Sequence, residues 1–151
     1  MGLQIVGAHS RLGYVHYVRG DYAKAHAEFD RELVFIGASD HALRERTFIE
    51  LNVKIGATYL REGNREDAER YFARALKSYE ARVATGADDP FTRYYIADLQ
   101  ALRGDTGRAL DALESTARNL PALTAARARV DPDLQSLADE PRFRALVEQH
   151  R

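Results

Sequence analysis

With 151 residues, 45 % of them apolar and 30 % charged, the chain has the balance of one ordinary globular domain. A net charge of −1 supplies no field that favours nucleic acid or an anionic membrane. The absence of cysteine excludes disulfides, thiolate metal sites and cysteine nucleophiles together. No apolar run approaches the roughly 20 residues needed to cross a bilayer. The opening Met1-Gly2-Leu3-Gln4-Ile5-Val6 lacks the basic-then-apolar pattern of a signal peptide, so a cytoplasmic location is expected.

Taken in order, the spacing predicts a first helix over 3–19, carrying Ile5, Val6, Leu12, Val15 and Val18. Gly20-Asp21 turns the chain, with Asp21 as N-cap. A second helix over 22–36 places Ala25, Phe29 and Leu33 on its inner face, and Gly37 ends it. Ser39 or Asp40 caps a long helix over 41–62. Gly63 stops that helix, Asn64 caps the next, and Asp67 is placed to complete a capping box. The helix over 65–85 carries Ala68, Phe72, Ala75 and Leu76, and Gly86 ends it. Asp89-Pro90 starts a helix to residue 103, with proline at the first helical position. Gly104-Asp105 turns into a partner helix over 106–119 with Ala109 and Leu113 inward. Leu120-Pro121 breaks it. A short helix over 122–129 comes next, and Asp131-Pro132 and Glu140-Pro141 open two more.

The chain repeats itself. Gly13, Gly56 and Ala97 occupy equivalent places, as do Gly20, Gly63 and Gly104; Ala25, Ala68 and Ala109; and Phe29, Phe72 and Leu113. Each column steps by 43 and then 41 residues. The small residues let the two helices of each hairpin approach closely.

The central unit, with Asn52, Ile55-Gly56, Tyr59, Gly63, Ala68 and Phe72, resembles the tetratricopeptide repeat. The first gives His9, Leu12-Gly13, His16, Gly20, Ala25 and Phe29; the third gives Arg93, Ile96-Ala97, Gln100, Gly104, Ala109 and Leu113. The period of about 42 exceeds the family's 34, and the first aromatic of the pattern is absent from all three. The resemblance implies an all-α right-handed superhelix of three hairpins, over about 3–37, 39–86 and 89–119, in a single domain spanning 1–151. The segment 120–151 closes it, with Leu134, Leu137, Phe143 and Leu146 covering the apolar end of the stack. That segment is similar to the ends of tetratricopeptide modules in bacterial multidomain regulators.

Chemistry is sparse. His9 and His16 lie seven apart on one helix; a metal or pH-sensing pair is one reading, and replacement of the family's aromatics at a helix contact is the favoured one. Asp88-Asp89 reads as a helix cap before it reads as a metal pair. Arg127, Arg129, Arg142 and Arg144 read as ordinary surface. No phosphate loop and no nucleophile elbow is present, so neither an enzyme, a cofactor nor a metal site is expected. What the resemblance offers is a concave face lined by the first helix of each hairpin, with Tyr14, Tyr17, Val53, Arg61, Phe91, Tyr94 and Asp98 as contact candidates. The places of the family's carboxylate clamp hold Ser10, Tyr14, Lys54, Phe91 and Tyr95, and only Lys54 suits it, so chaperone-tail binding is rejected. Two functions stay open: a module that binds a peptide or helix, or a self-association domain. Nucleic acid and membrane insertion are not expected.

Overall fold

The computed structural model describes residues 5–149. Among them every regular element is helical: α1 Ala8–Val18, α2 Tyr22–Gly37, α3 Arg44–Arg61, α4 Arg65–Ala84, α5 Pro90–Leu102, α6 Thr106–Asn119, α7 Pro121–Ala128, a 3₁₀ helix Pro132–Leu137, and α8 Pro141–Glu148. No helix among the described residues is long and apolar enough to cross a membrane. The chain clusters into two compact units, Met1–Ser78 and Tyr79–Arg151, with the boundary inside α4.

The three hairpin turns are one motif built three times. Gly20, Gly63 and Gly104 have φ of 80°, 81° and 82°, a conformation that costs glycine nothing. In each turn the glycine N–H donates to the carbonyl three residues back at 3.0 Å. The next residue's N–H donates to the carbonyl five back at 2.9 Å. This pair of bonds satisfies carbonyls that the ending helix leaves open. The N-caps beyond the turns vary more than expected. Asn64 Oδ1 accepts from the Asp67 N–H at 3.0 Å, as an N-cap should. The Asp67 carboxylate takes the Asn64 amide at 2.6 Å instead of its backbone. Asp105 caps through the Arg108 N–H at 3.1 Å. Asp21 sits at the N-cap position without making the side-chain bond.

Behind each turn the two helices touch at the paired columns. A Cβ added at Gly13 would lie 2.6 Å from the Phe29 ring, and one at Gly56 would lie 2.5 Å from the Phe72 ring. The smaller Leu113 replaces the phenylalanine in the third hairpin, and there Ala97 replaces the glycine; both are fully buried in one cluster. Glycine, normally about 1 kcal/mol worse than alanine inside a helix, is here the residue that admits the ring.

Two helix starts differ from the sequence expectation. The long helix begins at Arg44, not 41; Ser39 Oγ accepts from the His41 N–H at 3.1 Å and holds a turn before it. The first begins at Ala8, and Leu3 lies outside the described residues. Its N-terminus is held from another helix. The fully buried Glu32 of α2 accepts the Gly7 N–H at 2.7 Å through Oε1 and the Ser10 N–H at 3.1 Å through Oε2. One turn earlier, the buried Glu28 binds His9 Nδ1 at 2.6 Å. A carboxylate at a helix N-terminus meets both open N–H groups and the positive end of the macrodipole. Glu32→Gln leaves one acceptor for two donors and should cost about 1–2 kcal/mol. Urea melts check this, and an unchanged midpoint would show that solvent serves those amides equally well.

In the second unit α5 and α6 form the hairpin, and the closing segment folds onto it. Leu134, Leu137, Phe143 and Leu146 join Ala109, Leu110 and Leu113 in one core cluster with Tyr94. Asp131 starts the 3₁₀ helix by accepting the Asp133 N–H at 3.0 Å, and Arg129 Nε donates to the Val147 carbonyl at 3.0 Å near the end of α8.

Candidate functional site

The contact candidates divide between the two units. In the first, α1 and α3 bring Tyr14, Tyr17 and Arg61 together. The Tyr14 and Tyr17 rings stack at 6.1 Å, and Arg61 Nε donates to the Tyr17 hydroxyl at 3.1 Å. Lys54 Nζ, one turn below Thr58 on α3, lies 5.0 Å from the Tyr14 ring centroid and pairs with Glu50 at 2.7 Å. Arg61 is exposed and Tyr14 half-buried, whereas Tyr17 and Val53 are buried. The surface is therefore one tyrosine edge with a lysine, a glutamate and an arginine around it. Lys54 and Glu50 belong to it, although Lys54 had suggested only a carboxylate clamp from the sequence. Their i,i+4 spacing was the available signal.

In the second unit the expected anchors are not on the surface. Tyr94 is 1 % exposed and Asp98 4 % exposed. The Tyr94 hydroxyl donates to Asp131 Oδ2 at 2.9 Å inside the core. Arg127, expected at the surface, is half-buried, with its guanidinium 4.0 Å from the Tyr94 ring centroid and 5.2 Å from that of Tyr95. The reason is the closing segment: α7 and the 3₁₀ helix deliver Arg127 and Asp131 to the face of α5 that an open groove would expose. Burial raises the Tyr94 pKa strongly, and the nearby Asp98 and Asp131 carboxylates add to it. Phe91 stays half-buried at the edge.

Asp98, Asp131 and Asp133 each bring a carboxylate oxygen within 4.8 Å of the others. Their chemistry suits a hard cation. The same groups also serve the fold, since Asp131 receives the tyrosine hydroxyl and caps the 3₁₀ helix. An open cleft of about 480 Å³ lies along α6 and α8, lined by Glu114, Ala117, Arg118, Arg142 and Leu146 among others. Of its two arginines, Arg142 is engaged by Asp111 and Glu114, both at 2.7 Å, and the Arg142 hydrogen bond lowers the Glu114 pKa.

The histidines do not form a ligand pair. His9 meets Glu28, while His16 Nδ1 is buried without a hydrogen bond, 3.8 Å from the Asp21 carboxylate. His26 bonds Glu62 at 2.6 Å and packs on Tyr59, which stacks on Tyr71. His150 lies outside the described residues. Asp89 is a cap: Oδ1 accepts the Thr92 N–H at 2.8 Å, and Asp88 takes Arg93 at 2.7 Å. The polar residues that replace the missing aromatics are also accounted for. Arg93 reaches the Ser115 carbonyl and Asn119 on α6, as His9 reaches Glu28 on α2. Asn52 donates within its own helix to the Phe48 carbonyl at 2.8 Å.

The chain matches no family model, no curated protein and no solved structure.

Proposed function

We propose that this chain is a tetratricopeptide-like interaction module, a right-handed superhelix of three hairpins with a closing segment, working within a larger bacterial regulatory protein. Its contact surface is the α1–α3 face, where Tyr14, Glu50, Lys54 and Arg61 take up a peptide or helix. The observation that carries the reading is the grouping of both charge signs around a half-buried tyrosine, on two first helices whose hairpins share one turn and one Gly–Phe contact. Aromatic and arginine side chains are favoured anchors because they give large contact area or forked hydrogen bonding at small entropic cost. The mixed charge suits a peptide with apolar and polar positions better than a polyanion.

The test is a peptide library selected on the intact chain. Selected peptides should lose about tenfold or more in affinity with Tyr14→Ala and with Arg61→Ala, while the melting curves of both variants stay near the parent's. A library that returns nothing, or peptides that bind both variants as well as the parent, removes this face from consideration. Loss of fold in Tyr14→Ala would make the tyrosine part of the core instead.

A further inference from the structure

The outer face of α1 carries an apolar stripe that the fold leaves uncovered. Leu12, Val15 and Val18 are 46 %, 42 % and 58 % exposed, while the opposite face of the same helix buries Ser10, Gly13 and Tyr17. The helix is thus apolar on the side away from its hairpin partner, and its inward side holds a glycine and a serine. A helix with apolar residues all round is one that is covered on more than one side. Valine gives up side-chain freedom in a helix and is a poorer helix former than alanine or lysine. Two valines on a solvent-facing stripe therefore have no local purpose. Scattered exposed aliphatics are ordinary, but three on one helical stripe form a contiguous patch.

The charges select the occupant. Arg11 and Arg19 lie four residues before and four residues after Val15, so they flank it on either side of the stripe, on the same exposed face of the helix. Both are exposed, and neither has an ion-pair partner among the described residues. A second copy would meet this face badly. Two-fold pairing about Val15 sets Arg11 of one copy against Arg19 of the other, and parallel pairing sets each arginine against itself. We infer that this face docks an amphipathic helix whose apolar stripe is flanked by acidic side chains, at a surface separate from the α1–α3 face proposed above.

The probes are two designed helices of about three heptads, each with leucine at a and d, one with glutamate and the other with lysine at e and g. Binding to the intact chain is read by fluorescence anisotropy at about 0.15 M salt, where charge effects beyond roughly 8 Å are screened. The glutamate helix should bind at least about tenfold more tightly than the lysine helix, a difference of about 1.4 kcal/mol. Arg11→Glu with Arg19→Glu should reverse that order. Val15→Asp should abolish binding of both. No binding of the glutamate helix, equal binding of the two, or an order that survives charge reversal overturns the inference. So does a concentration-dependent dimer, seen by sedimentation, that Val15→Asp dissolves, because that outcome gives the face to a second copy. Should Val15→Asp fail to fold by circular dichroism, the exposed arginine pair decides alone.

Discussion

Gly56→Ala should destabilise the first unit by about 1–2 kcal/mol, and adding Phe72→Leu should leave the double variant no less stable than Gly56→Ala alone. The new methyl would lie 2.5 Å from the Phe72 ring and 3.1 Å from the Ala68 carbonyl oxygen. Both are inside contact distance, so α3 and α4 must part or the ring must leave its rotamer. Overpacking of this kind costs about 1–3 kcal/mol, against a gain of about 1 kcal/mol from the better helix former. Phe72→Leu alone should cost about 1–2 kcal/mol by leaving a void beside the glycine. The double variant places in the second hairpin the alanine and leucine that the third already uses at Ala97 and Leu113. Its loss should fall well short of the sum, with a coupling of about 2 kcal/mol in a double-mutant cycle of urea melts. Strict additivity would mean that the two columns do not meet as described.

Tyr94→Ala should be the most damaging single change, at about 4 kcal/mol, because it empties a fully buried aromatic site and strips Asp131 of its donor. Tyr94→Phe keeps the ring and should cost about 1–2 kcal/mol. The phenol also sets an alkaline limit. Burial first, then the Asp98 and Asp131 carboxylates, raises its folded pKa above the ordinary tyrosine value of about 10. The stability linked to this proton is fully present below that ordinary value and is lost as pH rises above it. Thermal melts of the wild type should therefore fall in midpoint from about pH 9 upward. The fall should be shallower in Tyr94→Phe, and the wild-type phenolate absorbance should appear late, together with unfolding. Early titration of all eight tyrosines in the folded chain would place Tyr94 in solvent.

Tyr14→Ala offers the contrast. Tyr14 is only half-buried and its neighbours are a second tyrosine and a lysine, so its loss should register in binding more than in folding. Tyr94, the other tyrosine expected as a contact anchor, behaves otherwise, since Asp131 of the closing segment takes its hydroxyl inside the core.

Local rules settled much of this protein in the sequence alone. Glycine at 20, 63 and 104 ends a helix because only glycine takes that φ without cost. Asp89 with Pro90 starts one because the side chain meets the Thr92 amide and proline has no amide to lose. The Gly–Phe and Ala–Leu columns were legible because each pair is sixteen residues apart across one tight turn. Other features rest on groups far apart in the chain, and only the tertiary structure decided them. Tyr94 is core because Asp131, 37 residues on, returns to its hydroxyl. Glu32 caps α1 across 25 residues, although nothing in its own helix marks it as a cap. The side of α1 that is buried was likewise undetermined, because its apolar residues run all round it. Packing of Gly13 against Phe29 chose the inner side and left Leu12, Val15 and Val18 outside.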